Sequence, residues 1–512
     1  MAEAIEDPLA STGSGTSRFP GVRPFEDTAD HRSLFHGRDN EKYELFQFVL
    51  AERIVLLFSR SGLGKSSLIN AGLLEQLRQE GHFPIVVRVS GAATPQEALL
   101  EGFEGAVREA EELGLECEPE PKDWDCRSLW HLFKSVELWR DDELLSPVLI
   151  IDQFEELFTL HDVAARKAFI DELAHLVRGT RPRSMSQDAE PHYSSRAPDV
   201  KVVLAFREDF YANIQELRDQ VPAVYKAPFR LGPLTREKAL QAITKPAVFP
   251  GARFRTQPFE WDPTALEEVL DFLGEQQLGE GKTIVGQEIE PFQLQLICQH
   301  VEDLVATQNI DVITPETLGG RDALRAVLAN FYTDTLGRIC AAFPEQLDLR
   351  EKLERLCEDG LMTPRGRRLL REESTIQHED GVGIDVLSKM VELRLVRKEP
   401  RIGDNYYELT HDTLIEPIRQ SRVARQKTAE TSALSEEVSR HRKHQDQVES
   451  FARQMGVGAF ASVALLLVYL FAFSPANELS AVISKVEAFQ ENAPPAQIVR
   501  WSTSPAPAED GG

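Results

Sequence analysis

At 512 residues the chain exceeds what one hydrophobic core ordinarily organises, which predicts two or three domains plus appendages. Hydrophobic residues make up 42%, enough for packed cores, while 57 Lys+Arg against 83 Asp+Glu leave a formal net charge of -26, an acidic surface that argues against general nucleic-acid binding. The five cysteines show no C-x-x-C spacing and fit reduced thiols, and the absence of G-x-S-x-G and H-E-x-x-H removes serine-hydrolase and zinc-protease readings.

Residues 1–17 are acidic, rich in Ser, Gly and Ala, and lack an apolar stretch, so they read as a disordered tail and not as a signal peptide or anchor. Residues 53–58 (RIVLLF) then form an apolar run of strand length. Ser59-Arg60-Ser61-Gly62-Leu63-Gly64-Lys65-Ser66-Ser67 follows, and Leu68, Ile69, Leu73, Leu74 and Leu77 recur at helical spacing. Strand, small-residue loop and helix make a phosphate site, because converging backbone N–H groups and the positive helix end both face the anion. Ser61, Gly62, Gly64, Lys65, Ser66 and Ser67 are the expected phosphate-binding residues. Lys65 reaches the outer phosphates and Ser66 ligates Mg2+ in the G-x-x-x-x-G-K-[ST] pattern. Ser59 replaces its first glycine, which the loop tolerates if that residue keeps a negative φ.

A second apolar run, 147–151 (PVLII), ends at Asp152-Gln153-Phe154-Glu155-Glu156-Leu157-Phe158. Asp152 stands where a Mg2+-coordinating carboxylate belongs. Gln153 occupies the position where many ATPases carry a water-polarising Glu, so the base is expected to be Glu155 or Glu156 and hydrolysis to be slow. Residues 180–199 are polar and rich in Pro and Ser, a surface loop. A third run, 200–206 (VKVVLAF), ends at Arg207, which is placed either to sense a γ-phosphate or to pair with Glu208 or Asp209. Three strand ends carrying Lys, Asp and Arg match the ligand crevice of a parallel α/β sheet.

Together these residues resemble the novel STAND NTPases, signal-transduction ATPases related to AAA+ machines and NLR-type immune switches. The similarity begins at FPGVRPFE (19–26) and LFHGRD (34–39), where the resemblance implies that Gly37 and Arg38 lie near the adenine. DQFEELF (152–158) is its most specific signature, FREDF (206–210) resembles the sensor strand, and LGPLT (231–235) resembles the G-x-P turn, with Pro233 closing over the base. A helical lid is implied beyond that turn. Residues 386–396 read as helix, 398–405 as a wing-like turn and 406–415 as strand into helix, similar to the family's winged-helix module. The resemblance implies that His411 contacts phosphate in an ADP-bound state.

Residues 419–454 are polar, charged and free of proline, a helical stalk. The uncharged stretch 455–474 (MGVGAFASVALLLVYLFAFS) predicts a single membrane-spanning helix, and the excess of Lys and Arg before it places the N-terminal side in the cytoplasm. The expected organisation is therefore a tail (1–17), a P-loop NTPase domain (18–230), a helical lid (231–330), a winged helix (331–420), a stalk (421–454), a membrane helix (455–474) and an external tail (475–512). Function is expected to be that of a membrane-anchored switch binding ATP or ADP with Mg2+, acting through self-association or a signalling protein partner. A nucleotide-holding scaffold without turnover is the alternative, and the charge disfavours a DNA-reading winged helix.

Overall fold

Ile54–Ser59 (β1) is buried along its whole length, and an unbroken apolar strand belongs inside a parallel sheet covered on both faces. In the computed structural model it sits among His82–Val87 (β2), Ser146–Ile151 (β3), Lys201–Arg207 (β4) and Pro228–Arg230 (β5). The order is β2-β3-β4-β1-β5 and every pairing is parallel. The structure describes residues 15–89, 94–112, 114–182, 196–278, 282–363, 367–401, 404–410, 414–423, 425, 463–466 and 468–469. Register positions the site: Ser59 lies opposite Arg207, and Val87 lies opposite Ile151, the residue before Asp152. The three strand ends singled out by sequence thus open at one edge.

Alternate side chains serve two cores, as a pleated strand requires. Ile54, Leu56 and Phe58 join Leu149, Ile151, Leu204 and Phe206 on one face, covered by Pro95–Glu111 and Val163–Arg178. Val55 and Leu57 join Val148, Ile150, Val203 and Ala205 on the other, covered by Asp39–Ala51 and the helix after the P-loop. That helix is α-helical at Lys65–Ser67, widens to a π-helical stretch at Leu68–Leu73, and returns to α-helix at Leu74–Gln79.

A third core gathers Arg236–Val248, Pro263–Leu273 and Pro291–Gln308 around Phe19. The N-terminal segment is tied to it. Arg18 is fully buried, donating to Thr256 Oγ1 at 3.0 Å and to the carbonyls of Pro246 and Phe249 at 2.9 and 2.7 Å, while Glu302 accepts from the Arg18 and Phe19 amides. Thr16, expected to lie in the tail, is held in place, its amide donating to the Arg253 carbonyl at 3.0 Å, and residues 1–14 of the expected tail lie outside the described residues.

A fourth core joins Gly320–Ala342 and Ile384–Glu392 to an antiparallel sheet of Arg371–Glu372 (β6), Val396–Arg401 (β7) and Asp404–Leu409 (β8), in the order β6-β8-β7. Helix Gly320–Ala342 runs unbroken across the boundary expected at residue 330. The turn expected over 398–405 is mostly strand, with Arg397 opposite Glu408 and Glu399 opposite Tyr406. Its alternating charges and Pro400 hide the extended pattern that apolar residues would have signalled.

Met1–Ala424 and Arg425–Gly512 are separate units. Among the described residues no helix is long and apolar enough to cross a membrane, which overturns the expected single-pass placement and the topology drawn from it. Of 455–474, residues 463–466 and 468–469 are described as helix, and the rest lies outside the described residues. A span needs about 20 apolar residues in one helix, and the described helical residues of this stretch are the two short pieces 463–466 and 468–469. The expected external tail and all of the expected stalk except 421–423 and 425 also lie outside the described residues.

Candidate functional site

The loop leaving β1 turns through Gly62 and Gly64, at φ 82° and 93°, a left-handed conformation that glycine adopts without a Cβ penalty. Ser59 keeps a negative φ, so replacement of the motif's first glycine leaves the loop intact. Its buried hydroxyl donates to the Arg60 carbonyl at 2.8 Å and accepts from Lys65 Nζ at 3.3 Å. Burial pushes the Lys65 ammonium below its usual pKa, and Glu155 and Asp152 pull it partly back. Ser66 Oγ donates to Asp152 Oδ2 at 3.0 Å. Asp152 is 5% exposed, and its other oxygen accepts from the Gln153 amide at 3.0 Å.

Phosphate and Mg2+ both fit these groups. A desolvated ammonium facing N–H-rich glycine turns suits an anion. A hydroxyl and a carboxylate in contact supply hard oxygen donors to an ion that usually keeps several waters and binds phosphate oxygens as well. Ser66 and Asp152 would supply two oxygen ligands to such a cation, with water or phosphate oxygens completing its shell; among the described residues no group of three or more His, Cys, Asp or Glu could hold a metal ion.

After Asp152 the chain reverses at Gln153, a non-glycine residue at φ 58°. The reversal buries Phe154 and returns Glu155 toward β4, where Glu155 Oε2 accepts from the Arg207 amide at 3.2 Å. Burial raises the pKa of Glu155 against the opposing pull of Lys65 and Arg207. Glu156 opens the short helix Glu156–Leu160, and both glutamates line the same cavity as Lys65. Arg207 also lines it, and of its two expected partners it pairs with Asp209, at 2.5 Å, whereas Glu208 pairs with Arg230 at 2.9 Å. Sequence reasoning missed its further partners on the C-terminal sheet, Glu399 at 3.0 Å and Glu408 at 3.5 Å. Burial alone would lower the Arg207 pKa, but these acids outweigh it and raise it.

The cavity has a volume of about 670 Å³ and is lined by Phe25, Arg38, Ser61 through Ser67, Asp152, Arg207, and β7 residues among others. Among its described lining residues eight are Lys or Arg and four are Asp or Glu, so an acidic chain has gathered an electropositive hollow suited to an anionic ligand. Arg38 is 4% exposed and ties three segments together, donating to Glu41 at 2.7 Å, the Leu63 carbonyl at 3.2 Å and the Gly232 carbonyl at 2.9 Å. Gly37 and Pro233 do not line the cavity. Gly37, at φ 80°, lies where a Cβ would come within 2.2 Å of the Lys238 carbonyl, and Leu234 beside Pro233 lines the cavity instead. His411 lies outside the described residues, although Thr410 before it lines the cavity.

Arg397, which no motif flagged, enters from β7 and donates to Ser61 Oγ at 2.8 Å. The signal that could have found it is the opposed Arg397 and Glu408 of a hairpin, visible once the register is known.

The profile of a family described as novel STAND NTPase 1 matches residues 19–450. No curated protein sequence matches. Solved structures similar to this chain include a Walker-type ATPase of Pyrococcus abyssi, at 13% identity over 78% of this chain and 99% of that one, with a TM-score of 0.37. They also include the Aeropyrum pernix ORC2 protein in ADPNP and ADP complexes, at 15% identity over 76% and 95% of the two chains, with a TM-score of 0.39.

Proposed function

The chain belongs to the novel STAND NTPase 1 family, and from that premise we propose that it is a nucleotide switch that binds ATP with Mg2+ and hydrolyses it slowly to ADP. The observation that carries this reading is the 3.0 Å bond between Ser66 and Asp152, beside Lys65, in a cavity that the C-terminal sheet helps to line. In the proposed complex Lys65 and the P-loop amides hold phosphates, and Ser66 and Asp152 hold the metal. Arg207 senses the terminal phosphate, and Glu155 or Glu156 orients water. Gln153 after Asp152, where many ATPases carry a water-polarising Glu, supports slow turnover.

The output is a movement of the C-terminal sheet and its helices, read as a winged helix, coupled to self-association or to a signalling partner. A ligand shifts such an equilibrium by its differential affinity for the two states, and Arg207 supplies a difference between triphosphate and diphosphate. For His411 the family resemblance alone supports a phosphate contact. Gln153 also favours a second reading, in which nucleotide is held without turnover.

ATP turnover by the full chain, measured beside Lys65→Ala with nucleotide binding followed in parallel, tests the proposal. Slow turnover lost on substitution supports the switch. Tight binding with no turnover under any condition supports the scaffold, and absence of binding sinks both.

A further inference from the structure

The C-terminal sheet reaches into the phosphate-binding loop through Arg397. β7 packs beside Glu156–Leu160, so that Arg397, Lys398 and Glu399 line the same cavity as Lys65 and Ser66. Arg397 Nη1 donates to Ser61 Oγ at 2.8 Å, one residue before the first glycine of the turn. The rest of the guanidinium forks onto Glu408, directly opposite on β8. That carboxylate is shared: Arg207 Nη1 stands 3.5 Å from one of its oxygens and Arg368 Nη1 4.0 Å from the other. One buried carboxylate is therefore shared among three guanidinium groups, of which Arg207 also has Glu399 and Asp209 as partners, whereas Arg397 pairs with Glu408. Burial and the neighbouring Arg207 both press the Arg397 pKa down, with Glu408 opposing them.

We infer that Arg397 is a ligand for the outer phosphates of the bound nucleotide, contributed by the C-terminal sheet, and that Glu408 competes with those phosphates for it. The same planar fork binds carboxylate and phosphate, so an anion seated on the Ser61 side draws on donors that Glu408 otherwise holds. This rests on reading the cavity as a nucleotide site, and it names the side chain through which the C-terminal sheet senses what the P-loop holds. A contact to outer phosphates discriminates by phosphate number: ATP and ADP engage it, and AMP does not.

Titration of the full chain with Mg-ATP, Mg-ADP and AMP, in wild type, Arg397→Gln, Arg397→Lys and Glu408→Gln, tests it. Arg397→Gln is expected to weaken ATP about tenfold or more and leave AMP unchanged, with Arg397→Lys between, because a point charge replaces a fork. Glu408→Gln is expected to tighten ATP. Equal ATP affinity in wild type and Arg397→Gln overturns the inference and leaves the switch standing, as does an equal loss for AMP and ATP, which marks general loosening. A wild-type chain that binds no nucleotide overturns both readings. If neither Arg397 variant folds, the sign of Glu408→Gln decides, and unchanged or weakened ATP binding overturns the inference.

Discussion

Arg207 and Glu399 join the open edge of the parallel sheet to the C-terminal sheet, Nη1 to Oε2 at 3.0 Å, across 192 positions of sequence. Their side chains are 15% and 12% exposed, so solvent screens the pair weakly. A double-mutant cycle with Arg207→Gln and Glu399→Gln, followed by urea unfolding, is expected to give a coupling of about 1–3 kcal/mol. Because Asp209 also holds Arg207, a coupling near zero would show that Asp209 takes over and that the pair does not hold the two sheets together.

Arg38 ties the segment before helix Asp39–Ala51 to the P-loop and to the turn at Gly232. Arg38→Ala leaves two carbonyls and Glu41 short of a donor in a buried setting and is expected to destabilise the fold by about 2–4 kcal/mol. Arg38→Lys should recover little of this, since one ammonium cannot span three acceptors in different directions. Urea midpoints of the two variants provide the check.

Gly37 and Gly64 share a positive φ but differ in surroundings. A Cβ at Gly37 meets backbone, whereas at Gly64 it meets nothing within 4 Å. Gly37→Ala is therefore expected to cost more stability than Gly64→Ala, whose penalty is conformational and about 1–2 kcal/mol. The ranking should invert for nucleotide affinity, because Gly64 shapes the phosphate loop. Thermal unfolding and ADP titration of both variants would expose an error in either half.

Glu155 has its pKa raised by burial, so the folded state binds its proton more tightly than the unfolded state. Its contribution to stability is then most favourable below the ordinary carboxylate range and is lost as pH rises from there through the folded pKa. Glu155→Gln removes that loss and is expected to be more stable than wild type at pH 8 while differing less at pH 4. Unfolding midpoints at the two pH values test the sign. If Glu155 is the base, the same variant loses ATP turnover while keeping ATP affinity.

The parallel sheet was legible where strands are buried on both faces. β1, β3 and β4 appear as apolar runs ending at the P-loop, Asp152 and Arg207. β5 is three residues beginning with Pro228, too short to carry a period, and β2 interrupts its run with Pro84 and an exposed Val86. The P-loop and Asp152 were readable because small residues, Lys, Ser and Asp have few other uses at strand ends. Arg397, Glu399 and Glu408 were not, because a charged hairpin and a solvated loop look alike until pairing is known. Arg18 was equally silent, since a guanidinium satisfied by distant carbonyls leaves no local pattern. The stretch 455–474 shows the reverse case, a strong compositional signal without a corresponding continuous helix among the described residues.

Ser61 and Arg397 lie 336 positions apart. During synthesis at about 5–20 residues per second, the P-loop therefore leaves the ribosome roughly 15–70 s before the side chain that bonds to it. For that interval the nascent chain carries its phosphate loop without the wall that later closes on it. Chaperone engagement and nucleotide capture by ribosome-bound chains thus become questions of timing as well as of affinity.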